Sequence, residues 1–453
     1  MRVTVIGAGY VGLTTSLTLA YTGHEVCCFD VNVEKVAELQ RGHIPIYEPF
    51  ASEMLSLTRG RLRFASDPVE SFGTADVVFI AVNTPSGADG RANLQHVKSA
   101  ADSIGRHLPR DYAVVVNKST VPIGSASLVE DLIRHSFVRH HGGKLNGRVG
   151  VVSNPEFLRE GSAIQDSLYP DRIVIGANDG RALDVMRCLY RPLLEQSFPE
   201  PAFLPRPSAK RVELLQTSVV SAEMIKYAAN AFLATKISFA NEFALLAERS
   251  GADIADVVRG IGLDQRIGPA FLAAGLGWGG SCFGKDTAAL TATARDYGIC
   301  MPITEAAQKV NARQRELAVA KLQSELKILQ GRTIGLLGMS FKPHTDDIRD
   351  SPSLDIAFRL LSLGVRVRAH DPCALDRARR ELPAGSIELC ESIQELADDA
   401  DALFLATEWP EYSSLPWTEL ASQMRQPLMI DGRNFLDRAA LQNAGFRYVG
   451  FGR

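Results

Sequence analysis

Short, largely apolar runs alternate with helix-like stretches through the first third of the chain. The first run spans 1–6, and helical spacing over 13–22 separates it from a second run at 25–29. Further apolar runs follow the same plan, at 75–82, 113–116 and 149–152. Uninterrupted apolar strands are typical of parallel sheets that helices cover on both faces. The pattern therefore predicts an α/β domain built on a doubly wound parallel sheet.

The same plan returns beyond residue 330. Strands are predicted at 332–337 and 365–370, a helical pattern separates them at 354–363, and the run at 400–406 echoes 75–81. We therefore predict a second Rossmann-like unit in the C-terminal part of the chain. It lacks a glycine fingerprint, so we expect it to bind a different, nucleotide-like ligand or nothing.

Between these two units the hydrophobic spacing becomes helical. Glycine and proline are absent from 209 to 248, strands are expected to stop there, and a long connecting helix is predicted over 304–329. We therefore predict three domains: an N-terminal nucleotide-binding domain, a central helical domain suited to dimerisation, and a C-terminal Rossmann-like domain. Their predicted bounds are 1–208, 209–328 and 329–453.

The composition argues against several classes of function. The 453 residues include 46% hydrophobic residues, and the net charge of -3 argues against nucleic-acid or anionic-membrane binding driven by bulk charge. We find no apolar run long enough to span a bilayer and no signal-peptide layout. Seven cysteines without metal-ligand spacing predict a cytoplasmic protein with no metal site.

The first apolar run leads directly into a dinucleotide fingerprint, Gly7-Ala8-Gly9-Tyr10-Val11-Gly12. Gly7 permits a tight turn, Gly9 lets the backbone approach a pyrophosphate, and Gly12 allows close packing of helix and strand. Asp30 ends the second strand, where it can accept hydrogen bonds from a ribose diol, which favours NAD over NADP. Lys35 offers a cation that weakens this preference.

Polar residues follow the later strands of the first unit. Ligands collect at the carboxyl ends of strands in open α/β sheets, so Thr84, Thr120, Glu156 and Glu160 are candidates for one crevice. The alternative is that Thr120 and Glu156 cap local turns.

Two polar residues share one face of the middle helix. Lys226 and Asn230 are four residues apart, and mostly apolar residues surround them. A lysine facing such an interior needs a partner or a task. The alternative is a lysine that extends its ammonium group to the solvent at the rim.

The stretch 279–286, Gly-Gly-Ser-Cys-Phe-Gly-Lys-Asp, contains one thiol among glycines. The glycines leave the sulfur of Cys282 accessible, and nearby Lys285 favours the nucleophilic thiolate, with Asp286 one residue further on. The alternative is a buried structural cysteine in a tight turn. Arg266, upstream, is suited to phosphate or is an ordinary surface arginine.

Positive charge also recurs in the last unit. Lys342 and Arg349 lie in the proline-flanked loop 341–352, and Arg433 follows the last clear strand. Loops in this position carry ligands. Solvated turns with surface ion pairs are the alternative.

Taken together, the motifs resemble the UDP-glucose 6-dehydrogenases within the nucleotide-sugar dehydrogenases. The matching segments are GAGYVG, NKSTVP, NPEFLREG, PDRIVIG, KYAANAFLATKISFANE, GGSCFGKD and FKPHTDDIRDSP. They run from Met1 to about Phe435, which is nearly the whole chain. Gly284 departs from the family's usual proline, and Trp278 from its usual Phe or Tyr.

The resemblance implies an NAD-dependent, four-electron oxidation of UDP-glucose to UDP-glucuronate through a covalent adduct on Cys282. The implied catalytic residues are Cys282, Lys226, Asn230, Asp286, Thr120, Glu156 and Glu160. The implied cofactor-binding residues are Gly7, Gly9, Tyr10, Val11, Gly12, Asp30, Lys35, Thr84, Thr120, Glu160, Lys285 and Arg349. The implied substrate-binding residues are Glu156, Phe157, Leu158, Arg159, Glu160, Lys226, Asn230, Arg266, Phe271, Leu272, Ala273, Ala274, Gly275, Gly279, Phe341, Lys342 and Arg433.

The resemblance also implies a homodimer or higher homo-oligomer, in which Arg266 reaches a neighbouring subunit's site. The same chemistry on a UDP-N-acetyl sugar or GDP-mannose is the alternative substrate choice. A single-step dehydrogenase of the hydroxyacid type and a non-catalytic nucleotide-binding regulator are the rival functions.

Overall fold

The computed structural model describes residues 1–108, 112–145, 147–207 and 211–453. The chain divides into two compact units: residues 1–228 with 288–297, and residues 229–287 with 298–453. The predicted domain boundary at 208/209 lies outside the described residues, and the predicted three-domain division stays a prediction.

An eight-stranded sheet forms the centre of the first unit, in the order β3-β2-β1-β4-β5-β6-β7-β8. All neighbouring strands are parallel except β6 and β7, which pair antiparallel at Val152–Ala177 and Ser153–Gly176. The strands are β1 (Arg2–Ile6), β2 (Glu25–Phe29), β3 (Leu62–Ala65), β4 (Val77–Ile80), β5 (Ala113–Asn117), β6 (Val149–Ser153), β7 (Arg172–Ala177) and β8 (Glu213–Thr217).

Helices cover both faces of this sheet. One apolar core contains Leu13 and Leu17 of α1, while the core on the other face contains Val97 and Ile104 of α5. The helices lying wholly in the first unit are α1 (Tyr10–Tyr21), α2 (Val33–Gln40), α3 (Ala51–Thr58), α4 (Pro68–Phe72), α5 (Gln95–His107), α6 (Ser125–His141), α7 (Ala163–Leu168) and α8 (Gly180–Leu194). The predicted α/β class is thus confirmed.

The expectation that strands stop at 209 was wrong, because β8 follows that point. β8 is an edge strand whose residues are all at least partly exposed, and it contains Glu213, Gln216 and Thr217. An edge strand with one neighbour does not need a continuous apolar run. The apolar-run signal that identified β1, β4 and β5 is therefore missing here.

A second, six-stranded parallel sheet forms the centre of the second unit, in the order β11-β10-β9-β12-β13-β14. Its strands are β9 (Thr333–Leu337), β10 (Arg366–His370), β11 (Glu388–Leu389), β12 (Ala402–Leu405), β13 (Leu428–Asp431) and β14 (Arg447–Val449). This confirms the second predicted parallel sheet.

The remaining helices include the two longest described. They are α9 (Val219–Ser250), α10 (Ile254–Gly262), α11 (Phe283–Asp296), α12 (Pro302–Leu326), α13 (Pro352–Ser362), α14 (Leu375–Glu381), α15 (Ile393–Ala397), α16 (Trp417–Gln423) and α17 (Arg438–Asn443), with a short 3₁₀ helix at Pro410–Ser414. The division at 228/229 falls inside α9. Among the helices described, none combines the length and apolar character needed to cross a membrane.

The acid that follows the second strand of this sheet is enclosed by neighbouring donors. Asp371 follows β10 as Asp30 follows β2, but it is only 1% exposed. Its Oδ2 accepts hydrogen bonds from the backbone of Met339 and Ser340 at 2.7 and 2.9 Å, and Trp409 Nε1 lies 3.3 Å away. Because these donors use the carboxylate, Asp371 is structural and is unsuited to hold a ribose.

Candidate active site

The glycine fingerprint forms a tight turn between β1 and α1. Gly7 has φ +103°, and a Cβ on it would lie 2.5 Å from the Ala81 carbonyl oxygen. A Cβ on Gly12 would lie 1.7 Å from the Gly7 carbonyl oxygen. Gly9 caps α1, and its nearest neighbour would be Asn83 Oδ1 at 4.0 Å. The first two positions therefore exclude side chains, while Gly9 leaves the helix N-terminus open to an anion.

Asp30 lies beside this turn at the end of β2. Its Oδ2 accepts the Ala8 N–H at 2.8 Å, and its Oδ1 accepts the Asn32 N–H at 2.9 Å. Lys35 Nζ lies 3.4 Å from Oδ2. Each carboxylate oxygen has a second lone pair, so Asp30 is able to accept further bonds from a diol.

Thr84 and Thr120 join the ends of β4 and β5. The hydroxyl of Thr84 donates to the Thr120 carbonyl at 2.9 Å, and the backbone N–H groups of Lys118 and Ser119 both donate to the Ile80 carbonyl at 3.0 Å. The sheet order reverses beside β4, where ligands collect in folds of this type. The structure thus brings two predicted cofactor residues together at that edge.

A buried ion pair joins Glu156 and Lys226. Lys226 Nζ lies 2.8 Å from Glu156 Oε1, and the two side chains are 6% and 8% exposed. Lys226 is therefore not a lysine that reaches solvent at the rim. Its ammonium group also lies 5.6 Å from the centre of the Phe157 ring. Glu156 Oε2 is buried without a hydrogen-bond partner among the described residues.

Lys118 belongs to the same cluster, although the sequence analysis did not select it. Its ammonium group donates to Asn154 Oδ1 at 3.2 Å. Burial lowers the pKa of Lys118 to about 8; the Glu156 carboxylate opposes this shift, whereas the Lys226 charge adds to it. Lys118 and Glu156 line a cavity of about 70 Å³ together with Tyr190. The signal available in the sequence was a lysine directly after a wholly apolar strand.

The segment after Glu156 is held by local contacts. Arg159 forms a bidentate pair with Asp166 at 2.7 and 3.0 Å, and its backbone N–H donates to the same carboxylate at 2.8 Å. Leu158 is partly exposed, and one oxygen of Glu160 is buried. The guanidinium of Arg159 is thus engaged within its own segment.

Cys282 lies immediately before α11 in the second unit. The Asp286 N–H donates to the Cys282 carbonyl at 2.8 Å, which places the thiol at the helix N-terminus. The residue is exposed, so the alternative of a buried structural cysteine was wrong. A helix N-terminus favours negative charge and hence a thiolate.

Asp286 contacts one other predicted catalytic residue, Asn230, and one predicted cofactor residue, Lys285. It is 1% exposed, its Oδ2 accepts from Asn230 Nδ2 at 2.6 Å, and its Oδ1 accepts from Lys285 Nζ at 2.5 Å. The structure thus groups Asn230, Lys285 and Asp286 one helical turn from Cys282. The ammonium group of Lys285 faces this carboxylate, and its predicted cofactor role stays a prediction.

The glycines around the thiol lie against the loop that follows β9. A Cβ on Gly279 would lie 2.5 Å from the Asp350 carbonyl, and one on Gly280 would lie 2.7 Å from the Phe341 ring. A Cβ on Gly284 would meet only Asp350 Oδ2 and the Trp278 ring, each at 3.9 Å. The close contacts therefore require glycine at 279 and 280, whereas the space around Gly284 would admit a side chain.

The predicted substrate loop 271–275 packs against the residue that follows β13. Leu272 and Ala274 are buried, whereas Ala273 is exposed and Phe271 is partly exposed. A Cβ on Gly275 would lie 2.2 Å from the Gly432 carbonyl, so the two segments are in close contact.

The neighbouring Arg433 donates to the carbonyl groups of Ala406 at 2.8 Å, Gly277 at 3.0 Å and Phe341 at 3.4 Å. Arg433 thus clamps the backbone of this region, and its predicted contact with substrate stays a prediction.

Three further cations differ in their surroundings. Arg349 forms a bidentate pair with the fully buried Asp347, at 2.6 Å for the shortest contact, and Lys342 Nζ lies 5.7 Å from the Phe341 ring centre. Arg266 is 88% exposed and pairs with Asp264 at 2.6 Å. Arg349 is therefore oriented by the loop, whereas Arg266 points to the surface of this chain.

Comparison with known families matches most of the chain. The models of the UDP-glucose/GDP-mannose dehydrogenase family match as its NAD binding domain at 1–194, its central domain at 220–313 and its UDP binding domain at 335–438. The glycine turn and Asp30 fit an NAD site, because the turn excludes side chains and leaves the α1 N-terminus open.

Full-length relatives agree with this match. A UDP-glucose 6-dehydrogenase of Pseudomonas aeruginosa is 45% identical and covers 100% of this chain and 98% of its own length. The solved UDP-glucose dehydrogenase of Pyrobaculum islandicum is 40% identical, with a TM-score of 0.87 and coverage of 99% and 97%. The solved UDP-D-ManNAc dehydrogenase of Pyrococcus horikoshii is 26% identical, with a TM-score of 0.85 and coverage of 100% and 99%.

We expect Lys118→Met to raise the thermal unfolding midpoint at pH 7.5. The folded-state pKa of about 8 lies below the ordinary 10.5, so below pH 8 the native state carries the full cost of the buried charge. This corresponds to roughly 3 kcal/mol at most, and it declines between pH 8 and 10.5, because the native lysine is neutral there and the cost of removing its proton falls as the pH rises. The gain should therefore shrink as the pH approaches 10.5. Exposed Lys98→Met is the control, and an equal midpoint for wild type and Lys118→Met at pH 7.5 would contradict the burial argument.

Proposed function

The chain belongs to the UDP-glucose/GDP-mannose dehydrogenase family, and from this premise we propose that it oxidises UDP-glucose to UDP-glucuronate with NAD. The observation that carries the proposal is the exposed Cys282 at the N-terminus of α11, one turn before the buried Asp286. Relatives named for UDP-glucose share 39–45% identity, against 26% for the UDP-D-ManNAc enzyme, which supports glucose as the sugar.

The reaction converts a CH₂OH group into a carboxylate in two oxidations. One sugar nucleotide, one water and two NAD⁺ give one uronate, two NADH and three protons. When bound, NAD⁺ accepts the hydride in each oxidation. We assign its binding to the glycine turn with Asp30, Lys35, Thr84 and Thr120, and additionally to Tyr10, Val11, Glu160, Lys285 and Arg349.

The first oxidation requires removal of the hydroxyl proton. Asp286 is suited to this through a bound water, because Asn230 and Lys285 hold its carboxylate while further lone pairs stay available. Thr120 would help to hold that water. Lys226 is less suited as the base, because the Glu156 carboxylate at 2.8 Å favours its charged form.

The aldehyde product is then captured by Cys282. The thiolate sulfur bonds to the carbonyl carbon, and the carbonyl oxygen becomes the negatively charged oxygen of a thiohemiacetal. Lys226 and Asn230, one helical turn apart in α9, supply a cation and an amide donor for this oxygen. Capture also prevents escape of the aldehyde and restores an alcohol-like hydride donor.

The second oxidation yields a thioester, which water hydrolyses. Attack of the water oxygen on the acyl carbon breaks the carbon–sulfur bond, releases the acid and restores the thiolate. We assign the orientation of this water to Glu156, whose Oε2 has no hydrogen-bond partner among the described residues. Its other oxygen is held by Lys226.

We assign binding of the sugar nucleotide to the predicted substrate residues. They are Glu156, Phe157, Leu158, Arg159, Glu160, Lys226, Asn230, Phe271, Leu272, Ala273, Ala274, Gly275, Gly279, Phe341, Lys342 and Arg433, with Arg266 supplied to a neighbouring subunit.

We also propose that the chain forms a homodimer through α9. Phe232, Phe239, Phe243 and Leu246 are 40–66% exposed. Their spacing of seven, four and three residues places them in one stripe along the helix. Exposed aromatic residues in such a stripe are suited to a self-complementary interface with a second copy of the chain.

UDP-glucose should give two NADH for each sugar nucleotide consumed. The measurement is NADH absorbance at limiting UDP-glucose, with parallel assays of UDP-N-acetyl sugars and GDP-mannose at equal concentration. A faster reaction with another sugar nucleotide would reassign the substrate. One NADH per sugar favours the single-step dehydrogenase, and no NADH with any of them favours the binding regulator.

We expect Cys282→Ala to lower uronate formation at least a thousandfold, because no thiohemiacetal forms without the sulfur. The product is measured by chromatography. Cys300→Ala is the matched control, since Cys300 is also an exposed thiol of the second unit and has no assigned role. Uronate formation by the Cys282→Ala protein at the wild-type rate would falsify the covalent mechanism.

Phe239→Asp should convert the dimer to a monomer, because it introduces a charge into the apolar stripe. Light scattering after size-exclusion chromatography gives the mass. Ile328 is an exposed apolar residue that does not belong to α9. The Ile328→Asp substitution should therefore leave the mass unchanged. Equal masses for Phe239→Asp and wild type would exclude this face as the interface.

A further inference from the structure

A buried carboxylate, Glu48, lies in the connection between α2 and α3. It is 7% exposed. Its Oε2 accepts the Gly161 N–H at 2.7 Å, and its Oε1 accepts the Ala163 N–H at 2.6 Å. Hydrogen bonds from backbone N–H groups to a carboxylate are among the stronger ones in proteins. Glu48 therefore ties its own segment to the end of the loop 156–162.

The loop itself depends on this outside contact. Ser162 is the residue before α7, but its side chain does not cap the helix. Asp166 holds the loop at Arg159, and Glu48 holds it two residues further on at Gly161. Glu160 lies between these two attachment points, so its backbone is fixed on both sides by charged side chains.

The segment that carries Glu48 is itself anchored. The hydroxyl of Tyr10, in the glycine fingerprint, donates to the Tyr47 carbonyl at 2.7 Å. Phe50 stacks on Phe203 with ring centres 5.3 Å apart. This anchored segment thus connects the turn at α1 with the loop 156–162. Glu48 is the charged residue that contacts the loop.

We propose that Glu48 is a positioning residue that sets the loop 156–162 for binding of the sugar nucleotide and joins it to the cofactor turn. The inference rests on the proposed function of that loop. A carboxylate is required because both of its oxygens accept hydrogen bonds. A glutamine would present one N–H₂ group to a backbone N–H, and one of the two attachments would become repulsive.

The test is steady-state kinetics of Glu48→Gln with UDP-glucose and NAD. We expect the KM for UDP-glucose to rise at least tenfold and kcat to fall. The affinity for NAD alone, measured by fluorescence titration, should fall less than the affinity for UDP-glucose, because Gly7, Gly9 and Asp30 keep their contacts and only Glu160 lies in the displaced loop. Glu53→Gln, at an exposed glutamate in the first turn of α3, is the matched control.

Hydrogen exchange separates this inference from the proposed function. Faster exchange of the Gly161 and Ala163 amides in Glu48→Gln, with other segments unchanged, is expected whatever the substrate. Wild-type kinetics together with wild-type exchange would overturn the positioning role, and so would a lowered thermal midpoint with unchanged KM and kcat. A wild-type protein without activity on any sugar nucleotide refutes the proposed function instead.

Glu48→Asp provides a second variant where Glu48→Gln does not fold. It keeps the charge but retracts it by one carbon, so we expect folding with an intermediate rise in KM for UDP-glucose. An unchanged KM together with unchanged amide exchange in Glu48→Asp would also count against the proposal.

Discussion

A carboxylate that leaves water must be given hydrogen-bond donors or a cation, and this constraint recurs throughout the molecule. Glu156 is held by Lys226, Asp286 by Asn230 and Lys285, and Asp371 by backbone N–H groups. Each of these groups connects segments that are distant in sequence. The buried acids therefore determine where the loops lie. The stability of the apolar sheets offsets the free-energy cost of burying these charges.

The two sheets show how one position in a fold supports different uses. Asp30 and Asp371 both follow the second strand of their units. Asp30 keeps lone pairs available beside an open helix N-terminus, whereas Asp371 is enclosed by the backbone that follows β9 and by Trp409. A difference in the surrounding donors, rather than in the residue itself, separates the proposed cofactor contact from a structural cap.

Much of the fold was predictable from the sequence because the central strands are largely apolar and β2 is followed directly by an acid. The edge strand β8 was not, since its exposed residues follow no apolar run. The chemistry of Cys282 and Asp286 was visible as a local motif. The place of Lys118 beside Glu156 and Lys226 was not, because it depends on contacts among three segments far apart in sequence. Local patterns thus indicated the candidate reactive groups, but only the tertiary structure shows which groups share an environment.

The exposure of Cys282 has a consequence for the chemical durability of the protein. A thiol that is accessible and lies at a helix N-terminus is the kind that peroxide converts to sulfenic acid and then, irreversibly, to sulfinic acid. Cys28, in contrast, is fully buried, and burial raises its pKa to about 12. Oxidative ageing should therefore begin at the one sulfur on which the proposed chemistry depends, while the core thiols stay reduced and the fold persists.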